Sequence, residues 1–436
     1  MGAIAERLRL EESMRLWEES RGLIPNGTQT FSKGPTQYPL GACPVYLKKG
    51  KGAYVEDVDG NRYIDYGMGL HSVILGYAHP RVVERVMEAV RDGVNFTLMH
   101  PLEVQVAKEL RRLIPSAEMV RFVKTGSEAT SAAVKIARAA TGKEHVAVCG
   151  YHGWHDWALG ATEKKNGIPM AVVGLVHKFT YNDAKSLEAV FESFKGNVAA
   201  VVLEPCGVKP PEPGFLEGCK RLAAENGAAL IFDEIITGMR WDKGGAQSLF
   251  NVTPDISTFG KSIANGMPLA AVVGKKEFME VLETRDVFLS TTFGGETASL
   301  SACLATLEVI EEQDAVKKIW KAGEELMKGL RAIIKRLDLE GLTEVDGFPC
   351  RPVIAFKSQD GVEPLLVKSI LQQECAKRGL LFAGYFAVSL AHDTDVIGES
   401  LAIMEKAMKL LSENAGQEKL SELLEGRIVS PVFRSL

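Results

Sequence analysis

A single lysine, Lys261, stands between the lead Thr258-Phe259-Gly260 and the exit Gly266-Met267-Pro268 in the stretch Asp255–Gly274. Most lysines are solvated charges, but an unprotonated amine in such a loop attacks carbonyls and, once released, takes protons. Four upstream segments end short apolar runs with residues suited to a charged, planar ligand. MVRFVK leads to Gly126-Ser127, HVAVCG to Tyr151-His152, NVAAVVL to Glu204, and GAALIF to Asp233. A carboxylate that leaves a buried run must find a cation, a donor or a metal, since burying it unpaired costs several kcal/mol or more. Gly126 and Ser127 open a helix, where unpaired N–H groups and the helix dipole favour a phosphate; plain capping by Ser127 with Glu128 is the simpler reading of the same residues. Tyr151 can lie flat on a planar ring or be a half-buried rim aromatic.

A phosphate site, a ring to stack on, an acid for a ring nitrogen and an amine for an aldehyde together describe pyridoxal 5'-phosphate held as a Schiff base on Lys261. Asp233 then keeps the ring nitrogen protonated, so that electrons from a broken substrate Cα–H bond spread into the ring. Lys261, displaced by the incoming amine, moves the proton. That chemistry is transamination. Asp233, Glu234, His152 and His155 are also metal-ligand types, but no zinc-like spacing such as H-E-x-x-H joins them, and no metal is expected.

To bring these residues together, strands must alternate with helices from about residue 119 to 274. The pattern predicts an α/β fold with a mostly parallel sheet, the ligand lying at the carboxyl ends of the strands. Before it come a helix over residues 4–20, an irregular stretch to about Gly52 holding Thr28, Thr30, Ser32 and Lys33, and a hairpin around Asp59-Gly60-Asn61. Thr291 and Thr292 precede Gly294-Gly295 in a polar turn suited to a phosphate or to capping. Beyond about residue 325 the composition is that of a smaller α+β unit, and the last twenty residues read as a loose tail. The expected division is an N-terminal segment 1–75, a large cofactor-binding domain 76–325 and a small C-terminal domain 326–436.

Length and charge narrow the function class. A chain of 436 residues, 46% of them hydrophobic, can bury more than one core. With 51 basic and 56 acidic residues the net charge of −5 offers no field for nucleic acid. Seven scattered cysteines without a C-x-x-C pair read as reduced thiols of a cytoplasmic protein. No run reaches the length of a membrane span, and the charged start resembles neither a signal peptide nor, with Glu6 in place, a myristoylation site. A small-molecule substrate is expected.

The motifs TGSEAT, YHGWHDW, LEP, FDEIITGMR, FGKSIANGMPLAAVVG and TTFGGE, in this order, resemble the class III aminotransferases of PLP fold type I. The likeness is strongest to the glutamate-1-semialdehyde 2,1-aminomutase group and runs from about residue 20 to 412. It implies that Lys261 carries the cofactor, Asp233 pairs with the pyridine nitrogen, and Tyr151 stacks on the ring. It further implies that Gly126 and Ser127 hold the phosphate, with Glu204 and His152 behind. Thr292 would reach the other subunit's phosphate in a homodimer with shared active sites. Lys33 stands where the aminomutases place an arginine for the substrate carboxylate, over the cofactor's reactive face. His71, in the segment after the hairpin where an aromatic is usual, is the second substrate-binding candidate. Glu296 replaces a usual Asn, and GYFAVSLAHDTDVI lacks the arginine that ordinary members use for an α-carboxylate. The activity implied is amino-group transfer of the aminomutase type, or transamination of an unusual amine, a β- or D-amino acid or a sugar-derived carbonyl. A non-catalytic PLP-binding scaffold is the alternative from outside enzymology.

Overall fold

The computed structural model describes residues 8–431 other than Asp360 and Ala415. Packing divides them into two compact units: one from Pro80 to Val316, and one that joins the residues up to His79 with those from Lys317 onward.

The unit Pro80–Val316 is built on a seven-stranded sheet. Its spatial order is Met119–Val123, Ala270–Gly274, Ile256–Phe259, Ala229–Asp233, Val198–Leu203, His145–Cys149, Val176–Lys178. Neighbours from Ile256–Phe259 to Val176–Lys178 pair in parallel, whereas Ala270–Gly274 runs antiparallel to both of its neighbours. The expected mostly parallel α/β sheet is therefore present. The central strands are covered on both faces, which is why they read as unbroken apolar runs. Ile231 and Val202 pack on one side with Ala133 and Ile136 of the helix Gly126–Thr141; Leu230 and Phe232 pack on the other with Phe215 and Leu222. Each such strand can bring a polar group to the surface only where it ends, and that is where the chemistry-bearing residues stand.

The other unit contains a four-stranded sheet ordered Leu47–Lys51, Tyr54–Asp57, Arg62–Asp65, Leu380–Leu381, and an antiparallel pair Thr343–Phe348 with Arg351–Phe356. The hairpin at Asp59-Gly60-Asn61 forms as the sequence predicts, with Gly60 at φ 89°. Asp57 ties it down, accepting from Asp59 N, Asn61 N and the Tyr63 hydroxyl. Two expectations need correction. The first helix runs over Glu11–Leu23 rather than 4–20, of which residues 4–7 lie outside the described part. It starts where it does because the Asp59 carboxylate, far away in sequence, accepts from Glu12 N at 2.8 Å and Ser13 N at 2.9 Å. The supposed loose tail is also ordered as far as residue 431. It forms the helix Gln417–Leu423, buries Leu420 and Val429, and Arg427 N and Ser430 N donate to Leu40 O and Thr36 O.

Candidate active site

Four of the segments that the sequence singles out meet at one end of the parallel strands. Ile235, just past Asp233, separates two of them: a Cβ on Gly126 would lie 3.2 Å from its side chain and one on Gly260 3.0 Å from it, so the helix N-terminus and the lysine turn both pack closely on it. Gly153 is held in the same way against Ser127: its φ is 100°, and a Cβ would stand 2.3 Å from the Ser127 hydroxyl.

At the helix start the structure corrects the capping alternative. Thr125, not Ser127, is the N-cap, its side chain accepting from Glu128 N while Glu128 accepts from Thr125 N and Lys124 N. Ser127 Oγ instead accepts from Trp154 N at 3.3 Å. The amides of Gly126 and Ser127 donate to no described residue and are available at the positive end of a sixteen-residue helix.

Asp233 is buried and fully oriented. His152 Nδ1 lies 2.8 Å from its Oδ2, and Oδ1 accepts from Ile235 N at 3.1 Å and Thr258 Oγ1 at 3.3 Å. The other nitrogen of His152 faces the Cys149 carbonyl at 3.2 Å, so both ring nitrogens meet acceptors, an arrangement that the imidazolium satisfies and the neutral ring does not. Burial presses His152 toward its neutral form, but the hydrogen bond and charge of Asp233 outweigh it and hold the imidazole above its ordinary value. Glu204 is shifted above the usual carboxylate range, first by burial and then by the charge of Asp233, with His152 and Lys261 pulling the other way; its Oε1 accepts from Tyr151 N at 3.1 Å. Burial, then Asp233, likewise raises the phenol of Tyr151. Lys261 itself opens a short 3-10 turn, Lys261–Ala264, with φ 45°, a left-handed conformation that costs a non-glycine residue about 1–3 kcal/mol and is found where function over-determines the backbone.

Glu234 points elsewhere. It takes hydrogen bonds from Thr237, Ala246 N and Gln247 N, and burial pushes it up to about 7. His155 is engaged with Ser131 at 2.7 Å. Among the described residues no group of three or more His, Cys, Asp or Glu is placed to hold a metal ion. Thr292 lies exposed in its turn, with no hydrogen bond to a described residue. Lys33 and His71 belong to the other unit. Lys33 is exposed and is one of the residues lining a cavity of about 610 Å³, together with Ser32, Tyr46, Asp65 and Tyr385. His71 is buried, stacks on Tyr385 and accepts from Arg351 Nε at 3.0 Å. It closes a run of four left-handed residues, Met68 to His71, pinned by Asp65, which accepts from Gly67 N, Met68 N and the Tyr77 hydroxyl.

Ile235 lies inside FDEIITGMR and Thr258 just ahead of Phe259-Gly260-Lys261, but nothing in the sequence assigns either a role. The residues at the strand ends fit a phosphorylated pyridine aldehyde: free amides at a glycine-lined helix start, an aromatic after the end of another strand, an oriented carboxylate locked by an imidazolium, and a lysine in a strained turn.

Comparison with known proteins agrees with this donor set. The family model for class-III aminotransferases matches residues 38–406. Over 421 residues the chain is 36% identical to a 3-aminobutyryl-CoA aminotransferase of Cloacimonas acidaminovorans, covering 93% of this chain and 100% of that one. It is 34% identical over 436 residues to a glutamate-1-semialdehyde 2,1-aminomutase of Ignicoccus hospitalis, with coverage of 92% and 100%. Among solved structures, the PLP internal aldimine form of the FumI protein of Sphingopyxis sp. MTA144 matches with a TM-score of 0.86 at 26% identity, over 94% of this chain and 99% of that one. An omega-transaminase from Sphaerobacter thermophilus matches at 0.82 and 27%, over 91% and 97%.

Proposed function

The chain belongs to the class-III aminotransferases, PLP-dependent enzymes of amino-group transfer, and on that premise we propose that Lys261 and Asp233 are its catalytic pair. The observation that carries the assignment is the buried Asp233, held by His152 and set at the end of a strand whose neighbour leads to Lys261. Bound pyridoxal phosphate supplies the electron sink. Lys261 Nζ is the amine that attaches it and, when the substrate amine takes its place, the base that moves the proton at the substrate Cα. His152 holds Asp233 in place to face the ring nitrogen, with Glu204 behind. Tyr151 covers the ring, and the amides of Gly126 and Ser127 receive the phosphate. Thr292 completes the phosphate site of a partner subunit in a homodimer. Lys33 and His71 bind the substrate, with the ammonium of Lys33 meeting an anionic group. Free thiols at all seven cysteines support a reducing compartment, the cytoplasm.

The substrate is an amine or amino acid outside the common α-amino acids, since the relatives are named for a 3-amino thioester and an amino aldehyde. Isomerisation is the second reading, favoured by the arginine-free run GYFAVSLAHDTDVI. Two experiments test the assignment. Borohydride treatment of the holoprotein followed by peptide mapping should fix the cofactor mass on Lys261, and Lys261→Ala should lower turnover by about 10²–10⁴-fold, the usual contribution of a positioned proton-transfer group. An adduct on another residue, or a turnover surviving in Lys261→Ala, would remove the pair. Glutamate 1-semialdehyde or 4,5-diaminovalerate converted without an added keto acid marks an aminomutase, and dependence on an added acceptor marks a transaminase.

A further inference from the structure

The strained turn that carries Lys261, with φ 45° at the lysine, is gripped by residues 237–247 of the same unit. Glu234, which follows Asp233, folds that segment. It is fully buried, and its carboxylate accepts from Thr237 Oγ1, from Ala246 N and Gln247 N at 2.8 Å each, and from Gln247 Nε2 at 3.4 Å. Taking a carboxylate out of water costs several kcal/mol, and these four donors offset that only while the segment stays closed around it. The approach is tight. Gly245, at φ 88°, has no room for a Cβ, which would stand 2.7 Å from the carboxylate.

Two side chains of the closed segment reach the chain on either side of Lys261. Before the lysine, Gln247 Nε2 donates to Ser257 Oγ at 3.1 Å, while Gln247 Oε1 accepts from Ser116 N at 3.1 Å. Ser257 belongs to the strand Ile256–Phe259, which leads into the lysine turn. Directly after the lysine, Ser262 Oγ accepts from Arg240 Nη2 at 3.5 Å, a long bond from a guanidinium with no exposed surface. Gly238 packs so closely on the same strand that a Cβ there would overlap the Phe259 ring. A left-handed backbone at a non-glycine residue costs about 1–3 kcal/mol and persists only where its surroundings over-determine it. Here Ser257 fixes the chain ahead of the lysine and Ser262 fixes it behind.

We propose that Glu234 and Arg240 are positioning residues for Lys261: Glu234 closes the segment, and Arg240 braces the turn through Ser262, so that the amine is held for attack on the cofactor aldehyde. The proposal rests on the amino-transfer reading above. In the attack the neutral amine joins the aldehyde carbon, a C=N bond replaces C=O, and the two amine protons leave with the aldehyde oxygen as water. The brace acts on that capture and not on the binding of phosphate or ring.

Two probes separate these roles in the full-length protein stripped of cofactor. Pyridoxal phosphate needs the amine, whereas 4-deoxypyridoxine 5'-phosphate keeps ring and phosphate but has no aldehyde. In Arg240→Ala and Ser262→Ala the rate of pyridoxal phosphate capture, read as the rise of visible absorption, should fall about 10–100-fold, the cost of a misplaced reacting group. Affinity for deoxypyridoxine phosphate, read by calorimetry, should stay unchanged. Glu234→Gln should shift the capture rate in the same direction, and Arg240→Lys should recover part of the loss. Arg240→Ala with Ser262→Ala should be no slower than Arg240→Ala alone, because the two changes remove the ends of one brace. Ser262→Ala removes a single oxygen, so it answers even where Arg240→Ala fails to fold. Hydrogen exchange reads the turn without any cofactor. The amides of Ile263 and Asn265, which donate to Gly260 O at 3.2 Å and Ser262 O at 3.3 Å, should exchange faster in these variants, with the strand Val198–Leu203 unchanged. An unchanged capture rate in Ser262→Ala, or an equal loss of both probes, overturns the proposal. A wild-type borohydride adduct on a residue other than Lys261 sinks the amino-transfer assignment instead. Exchange at Ile263 and Asn265 then decides on the brace alone, and unchanged exchange overturns it.

Discussion

His152 and Asp233 show why a reading of residue types went so far. Each stands where an apolar strand ends, and a buried strand can present polar groups only there, so their convergence follows from the sheet itself. Glu234 was legible only as a metal-ligand type, because the amides it accepts from, those of Ala246 and Gln247, carry no side-chain signal. The buried pair gives the first residue-scale prediction. His152→Phe keeps an aromatic ring but leaves Asp233 buried without its cation, and breaking such a pair costs about 3–5 kcal/mol, to be read as a lower urea midpoint. The pH dependence has a definite sign. The folded value of His152 is raised, so its contribution is full below the unfolded value of about 6.5 and is lost as pH rises through the folded value. The gap between wild type and His152→Phe should therefore shrink from pH 6 to pH 9, and a gap that widens would mean that the imidazole is not the charged partner.

Glu296 illustrates the same logic for an element. The sequence marks it only as a departure from the family's usual Asn, whereas in the fold it starts the helix Thr297–Glu312. Its carboxylate accepts from Ser299 N at 3.1 Å and from Lys124 Nζ at 2.6 Å, which ties the helix to the end of the strand Met119–Val123 just before the Gly126-Ser127 turn. Burial opposes its charge, but Lys124 and Ser299 together hold it below the usual carboxylate range. Its stabilisation is therefore present above about pH 4.3 and lost as pH falls through the lower folded value. Glu296→Ala should cost about 3–5 kcal/mol, the range for breaking a buried pair, and Glu296→Gln, which keeps an acceptor for the cap, about 1–2 kcal/mol. Equal midpoints for the two variants would show that the Lys124 pair adds nothing beyond the cap. Elements whose ends are set by distant side chains were the ones misread. Asp59 starts the first helix from 46 and 47 residues away, and the C-terminal segment, rich in Glu and Lys, is anchored by the buried Leu420 and Val429 that composition averages away.

At the scale of the whole molecule, the unit Pro80–Val316 leaves several large apolar side chains exposed. On the helix Pro80–Asp92, Val83, Met87 and Val90 recur at spacings of four and three, which puts them on one face, and they are 40%, 50% and 51% exposed. Leu98 and Met99 are 80% and 84% exposed, and Phe293, beside Thr292, is exposed as well. Hydrophobic composition alone cannot show this, because it does not say which apolar residues remain uncovered once the sheet is built. A contiguous group of such side chains is the kind of surface on which the proposed partner would seat. The proposed partner is a second copy, whose Thr292 would serve the first copy's phosphate. Replacing Met87 by Asp should weaken dimerisation by at least about tenfold, the equivalent of 1.4 kcal/mol, because a charge would then have to be desolvated at the interface. Sedimentation should show the shift toward monomer, and cofactor retained after dialysis should fall with it. Thr292→Val should lower cofactor retention while leaving the sedimentation unchanged, since it removes a donor to the phosphate and no apolar contact. A Met87→Asp protein that stays dimeric would place the interface elsewhere. A monomer that keeps one cofactor per chain would separate assembly from the site altogether.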